Sequence, residues 1–386
     1  MRSTVPVPGS REIARVIADW FSRGARDLPW RREAVGDPGV RRDPYRVLVS
    51  EIMLQQTQVS RVVERFDPFL AHFPTIDRLA EADEASVLAA WSGLGYYRRA
   101  RLLHAAARHI QREHDGRIPT DPARLAELPG VGRYTAGAVA CFAFGASVPI
   151  VDGNIARVLF RVFDRRAVQG DAADMRWAWE TADQIVRASS GHVPIPAINE
   201  GLMELGATVC VPGEPRCSRC PLAALCAGGA AGTANQIPSP RKTTARKSVF
   251  CSTALIMDRR GRILLERRPS PGMWSLMWQA PTLEREGVRR HAGAARFAAW
   301  LGVGVSALER LARFRHQTSH RTVHFECWRV RLDASQARPI SASRRWVEPG
   351  ELPGIGLSSP QARMIASAFS ASSPRRGSPR ARTLPR

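Results

Sequence analysis

Two carboxylates stand where their surroundings would give them different proton affinities. Glu51 falls inside an apolar run, with Val47, Leu48 and Leu54 at i−4, i−3 and i+3 on one helical face. A carboxyl among such neighbours is hard to ionise, so its pKa rises and it suits a proton donor. A glutamate reaching out to an arginine fits the same pattern. Asp152 follows the apolar ASVPIV and precedes GNIARVLFRV, a helix N-cap position. Capping alone accounts for an aspartate there. Yet a carboxylate held by helix amides also stays ionised, and can support a centre that turns cationic. A protonated acid beside an ionised carboxylate is the pair that cleavage of a glycosidic bond uses.

A second constellation is CVPGEPRCSRCPLAALC, which sets Cys210, Cys217, Cys220 and Cys226 in the pattern C-x6-C-x2-C-x5-C. Four thiolates on a short loop can close a tetrahedral shell, and the spacing suits either a [4Fe–4S] cluster or structural zinc. Cys141, Cys251 and Cys327 are scattered. An odd total of 7 with one tight group argues for a reducing compartment rather than a disulfide frame. The opening MRSTVPVPGSREIARVIADW has no apolar core followed by a small-residue cleavage site, so no secretion signal is expected.

The third is LPGVGRYTAGAVA, residues 128–140, a glycine-punctuated turn between two helical runs. Gly130 and Gly132 permit positive φ and leave backbone amides unshielded. The helix behind them begins with the positive end of its dipole, which makes an anion site suited to a DNA phosphate. A tight helical corner with no ligand is the other reading. The formal net charge of +22 favours the first, because such an excess of arginine is a footprint for polyanions. A GC-rich genome's taste for arginine explains part of that charge. Anionic membrane is the rival partner, but no apolar stretch approaches the ~18 residues of a spanning helix.

The elements that must carry these groups divide the chain of 386 residues into two domains. Residues 1–226 read as helical nearly throughout, with apolar residues at helical spacing and several runs ending on glycine. Residues 227–246, small, polar and proline-bearing, read as a linker. From 247 to 370 the period changes to alternating β-rich segments with one helix, AARFAAWLGV, so an α+β domain is expected. Residues 371–386 are rich in Pro, Arg and Ser and are expected to be disordered. There is no internal repeat.

Taken in order, LPGVGR, VDGNIARVL (Val151–Leu159) and the cysteine cluster resemble the helix-hairpin-helix, endonuclease III-like superfamily of DNA glycosylases. Within it, SEIMLQQTQV (Ser50–Val59) and WSGLGYYRRARLLHAAA (Trp91–Ala107) are similar to MutY-type adenine DNA glycosylases. The resemblance implies a mainly α, helix-hairpin-helix glycosylase domain with a [4Fe–4S] loop, followed by an α+β Nudix-like C-terminal domain. It also implies excision of adenine mispaired with 8-oxoguanine or guanine in double-stranded DNA, by a monomer of the cytoplasm and its nucleoid. Two rivals remain: a bifunctional glycosylase/lyase of the thymine-glycol type, and a non-catalytic Fe–S DNA-binding protein.

Residue by residue, the resemblance makes Glu51 the acid that protonates adenine N7 and then activates water. Asp152 is its anionic partner, and Asn154, Tyr134 and Glu200 support the water and Asp152. Tyr134 stands where bifunctional relatives carry a Schiff-base lysine; a phenol forms no imine, which implies that the strand is left intact. The only lysines, Lys242 and Lys247, lie in and beside the linker. Because a base must leave the stack to be cut, Gln56 would fill the gap and Tyr96 would wedge beside the opposing base. Arg98, Arg99 and Arg101 are expected to face phosphate or solvent. In the second domain FRHQTSH (Phe314–His320) matches the lesion-reading loop at Ser319 and His320, while Thr318 replaces the usual aromatic. The stretch EREGVRRHAGAARFAAWLG lacks the clustered glutamates that Mg²⁺ needs, so pyrophosphate hydrolysis is not expected.

Overall fold

The computed structural model describes residues 9–32, 42–240, 246–318, 320–330 and 343–372. It divides into two compact units, Met1–Ala82 with Arg98–Thr243, and Asp83–Tyr97 with Thr244–Arg386.

The first unit is helical. Its helices are α1 (Ser10–Gly24), α2 (Pro44–Leu54), α3 (Val59–His72) and α4 (Ile76–Glu81). After α5 (Glu84–Ala90), which falls in the second unit, come α6 (Arg98–His114), α7 (Pro122–Glu127), α8 (Arg133–Phe144) and α9 (Gly153–Val162). The set ends with α10 (Ala172–Ser189), α11 (Ile195–Thr208) and the single turn α12 (Ala227–Ala230). Local chemistry sets their starts. Asp43 caps α2, accepting from the Tyr45 amide at 2.8 Å, and Pro44 fills its first position. Nine of the twelve residues of α8 are buried, so this helix is the hub on which α2 and α7 pack. Small residues allow close approach elsewhere: a Cβ on Gly201 of α11 would lie 2.5 Å from the Ile17 side chain of α1.

The expected linker differs in its first part. Residues 227–240 are folded onto the first unit: Thr233 Oγ1 donates to Asp164 at 2.5 Å, and Gln169 N donates to Ser239 O at 2.9 Å. A Cβ on Gly228 would lie 2.5 Å from Arg161 O, so the small residues that look like linker chemistry serve tight packing on α9.

The second unit matches the α+β expectation. Strands β1 (Lys247–Ile256), β4 (Thr282–Glu286), β5 (Leu308–Gln317) and β6 (Arg321–Val330) form a sheet of order β4-β1-β6-β5. The β1–β6 pair is parallel, and the other pairs are antiparallel. A second sheet, β3-β2-β7, joins β2 (Ile263–Arg267), β3 (Trp278–Gln279) and β7 (Arg344–Val347). Helix α13 (Ala294–Leu301) covers one face through Phe297 and Leu301, packed with Ala254, Trp328 and Val330. Helix α14 (Ser359–Ser372) seals the other with Met364 and Ile365. Register places Phe250, Arg285 and His324 side by side across three strands. Tyr97, after α5, is a core aromatic, 5 % exposed, and its hydroxyl donates to Leu357 O at 2.7 Å. The basic tail expected from residue 371 starts inside α14, and residues 373–386 lie outside the described residues. No helix among the described residues is long and apolar enough to cross a membrane.

Candidate active site

In the first unit, α2, α8, α9 and α11 enclose a cavity of about 520 Å³ lined by Glu51, Tyr134, Asp152, Asn154 and Glu200, with Gln56 at its edge. Five groups that the sequence singled out separately are thus gathered on one space.

Glu51 projects from the third turn of α2 and is 5 % exposed. Its Oε2 is buried with no hydrogen-bond partner. Burial pushes its pKa up to about 7, and the Glu200 and Asp152 charges add to the rise; the Tyr134 hydroxyl and Arg42 oppose it. Asp152 is treated differently by its neighbours. It caps α9, accepting from the Ile155 amide at 2.7 Å and from Asn154 Nδ2 at 2.9 Å. Burial lifts its pKa above the ordinary value, while those donors and Arg157 pull it down. Asn154 is itself held by Arg157, whose Nη2 donates to its Oδ1 at 2.9 Å. Hydrogen bonds to the anion favour Asp152 as the charged member, and the partnerless oxygen of Glu51 favours it as the protonated one.

Tyr134, in the first turn of α8, does not bond to Asp152 as one sequence reading allowed. Its hydroxyl meets Met203 Sδ at 3.7 Å and interacts with the Glu51 carboxyl. Burial and that carboxyl push the phenol well above its ordinary pKa, so it is a neutral donor.

Glu200 reaches the cavity but does not bond to Asp152 either. Arg31 Nε donates to its Oε1 at 2.9 Å, and Arg42 grips both oxygens, at 3.1 and 2.6 Å. One turn on, Glu204 takes Arg26 at 2.5 and 3.0 Å and Arg31 Nη1 at 2.9 Å. Arg26, Arg31, Arg42 and Glu204 are site residues that sequence reading missed. The available signal was a pair of glutamates at i and i+4 on an otherwise apolar helix, which must find cations when buried.

The glycine turn has two different glycines. Gly130 has φ +79°, and a Cβ there would lie 2.6 Å from Leu102 Cβ. Gly132 does not use positive φ as expected. It is the N-cap of α8, with φ −89° and open space around its Cα, so it leaves the first amides of the helix uncovered.

Gln56 and Tyr96 share an unusual backbone, φ 55° and 47°, in the left-handed region. For side chains larger than asparagine this is a strained position of the kind that collects at functional sites. Tyr96 is 49 % exposed. Arg99, in contrast, faces neither phosphate nor solvent. It is buried and donates to the Ile52, Met53 and Gln55 carbonyls, closing the C-terminal end of α2 directly behind Glu51. In the second unit Thr318 closes the β5–β6 hairpin, its Oγ1 accepting from Arg321 N at 3.0 Å. His320 lies exposed in that turn, and Ser319 is outside the described residues.

Cys210, Cys217, Cys220 and Cys226 line one small recess beside α9. Arg161 Nη1 donates to Cys210 Sγ at 3.4 Å, and Gly229 N to Cys226 Sγ at 3.3 Å. Such donors suit sulfurs carrying negative charge, so the donor set fits a thiolate-held group. No three His, Cys, Asp or Glu side chains among the described residues are set to hold a single metal ion.

Residues 49–180 match the family described as HhH-GPD superfamily base excision DNA repair protein, and residues 252–367 match the NUDIX domain family. The chain is similar to the human adenine DNA glycosylase, 32 % identical over 401 residues, spanning 88 % of this chain and 72 % of that one. The adenine DNA glycosylase of Mycolicibacterium smegmatis is 46 % identical over 206 residues, spanning 53 % of this chain and 66 % of that one. That of Buchnera aphidicola is 28 % identical, with 91 % and 95 % of the two chains covered.

Proposed function

The chain belongs to the adenine DNA glycosylase family, and from that premise we propose which bases it separates and how. It is an adenine-excising DNA glycosylase of base excision repair, a hydrolase of N-glycosyl bonds that acts on DNA. The finer reading is that it removes adenine paired with 8-oxoguanine or guanine, with Glu51 as acid and Asp152 as anionic partner. One observation carries this assignment: the same cavity holds a carboxyl raised to about 7 with a partnerless oxygen and a carboxylate held by two donors.

In this reading the extruded adenine enters the 520 Å³ cavity, a size usual for small-ligand sites. Glu51 gives its proton to N7, so the bonding pair of the C1′–N9 bond leaves on a neutral base. The Asp152 carboxylate stabilises the cationic C1′ that results. Glu51, now ionised, takes a proton from the water that attacks C1′, which restores the acid. Tyr134 donates to the ionised Glu51, and the Arg31–Glu200–Arg42 group fixes the wall around the base. No lysine is among the described residues that line the cavity, so in this reading the sugar is not captured as an imine and the strand stays whole.

Cys210, Cys217, Cys220 and Cys226 would hold a [4Fe–4S] cluster, which would order the loop on α9 and take no part in bond cleavage. The β5–β6 turn with His320 would read the base opposite adenine. The enzyme would work as a monomer in the cytoplasm, on the nucleoid.

The deciding assay incubates the full chain with duplexes holding adenine opposite 8-oxoguanine, guanine or thymine. Free adenine is expected from the first two, with strand breaks only after alkali. Equal release opposite thymine would sink the mispair assignment. Breaks without alkali, trapped by borohydride, would sink the monofunctional one.

A further inference from the structure

The stretch Asp83–Tyr97 belongs to the second unit and carries Tyr96 in the turn that follows α5. In that turn Gly93, Gly95 and Tyr96 adopt left-handed φ values of 95°, 70° and 47°. Glycine takes such values at little cost, whereas a tyrosine keeps one only where its surroundings enforce it. Two bonds bracket the turn. From inside it, the buried Trp91 donates its indole N–H to Gly95 O at 3.1 Å. Directly behind Tyr96, Tyr97 donates its hydroxyl to Leu357 O at 2.7 Å.

Leu357 is a firm anchor. It forms a β-bridge with Trp278, and its neighbour Gly356 accepts from Trp278 N at 3.0 Å, so this stretch is tied to β3 at the edge of its sheet. The Leu357 side chain lies in one apolar core with Val323 and Phe325 of β6. That strand begins directly after His320, in the turn assigned to reading the base opposite adenine. Close packing repeats the link: Gly356 is buried, and a Cβ on it would come 3.3 Å from Leu88 Cβ of α5. A phenylalanine ring would fill the space of Tyr97 equally well. The hydroxyl adds direction, because a hydrogen bond fixes the residue behind Tyr96 against one point of the Leu357 backbone.

We propose that Tyr97 is a positioning residue for recognition of the base opposite adenine. Its bond to Leu357 holds the Tyr96 turn on the core that also carries the β5–β6 turn, so one compact unit presents both to the DNA. This rests on the reading that Tyr96 wedges beside that base and that the β5–β6 turn reads it.

The test follows adenine release by the full chain, at enzyme concentrations too low to saturate the DNA. Duplexes carry adenine opposite 8-oxoguanine or opposite guanine, and the ratio of the two rates is compared. Loss of folded protein lowers both rates alike and leaves the ratio untouched. Tyr97→Phe should lower the ratio about threefold to tenfold, the worth of one buried hydrogen bond. Tyr96→Ala should lower it at least as far. The double variant should match Tyr96→Ala alone, because Tyr97 acts through the wedge. Should Tyr97→Phe fail to fold, Gly356→Ala takes its place, since its methyl group presses on the same joint at Leu88. An unchanged ratio in Tyr97→Phe, with a lowered one in Tyr96→Ala, overturns the proposal alone. Effects that multiply in the double variant overturn it too, and Tyr97 is then an ordinary core tyrosine. An unchanged ratio in Tyr96→Ala overturns the wedge reading and this proposal with it.

Discussion

Glu51 acts on rate and stability in opposite directions. Its pKa rises from 4.5 to about 7 on folding because the protein removes water from it. Between those values the unfolded chain sheds the proton first, so stability is full below pH 4.5 and falls as pH climbs towards 7. The loss amounts to about 3 kcal/mol. Glu51→Gln removes the titration: urea melts should find the variant more stable than the parent by about that amount at pH 8, and equal to it at pH 4.5. The same variant should release adenine some 10²- to 10⁴-fold more slowly in single turnover, with binding retained. In the parent, the rate for bound DNA should decline above pH 7, as the acid loses its proton. Unchanged release would refute the acid role, and unchanged stability at pH 8 would refute its burial. At this scale the sequence was legible wherever burial followed helical period, as with Val47 and Leu48 around Glu51. It was not legible where a long side chain crosses to another element. Arg99 looked like a surface cation because nothing local reveals that carbonyls forty-odd residues back await it.

Elements fix how narrowly such groups are aimed, and the two glycines of the α7–α8 turn separate two ways of doing it. Gly130→Ala puts a Cβ into Leu102 in a left-handed backbone, and should cost on the order of 1–3 kcal/mol in thermal or urea unfolding and weaken DNA binding with it. Gly132→Ala meets nothing within 4 Å and should leave stability nearly unchanged. Any fall in duplex affinity for the second variant then reports its one added methyl group shielding the amides at the start of α8. If Gly132→Ala binds like the parent, phosphate does not sit there. Both glycines were legible as a turn, but their separate duties were not, since φ depends on the path of the chain on either side. The same ambiguity misled the reading of residues 227–246. Glycine and alanine mark a free linker and a tight contact alike, and only the nearness of the Arg161 carbonyl distinguishes them.

Across the whole molecule, charge was the plainest message of the sequence and remains the most direct to test. With +22 formal charges, affinity for a mispaired duplex should fall on the order of 10²-fold or more between 50 and 200 mM salt in equilibrium titrations. A flat response would mean that phosphate contacts contribute little. The division into a helical and an α+β unit was also legible, because the period of the apolar residues changes along the chain. The assignment of Asp83–Tyr97 to the second unit was hidden, since its hydroxyl-to-carbonyl bond joins residues 260 positions apart.

One helix links distant parts of the first unit. Asp152 caps the N-terminal end of α9, and near the other end Arg161 reaches Cys210 Sγ, Val211 O and Ile237 O. Ten residues make a rod about 15 Å long. Slack in the thiol-bearing loop would therefore tilt the far tip of that strut, and a lesion in the scaffold would read out as a misaimed anion at the opposite end of the helix.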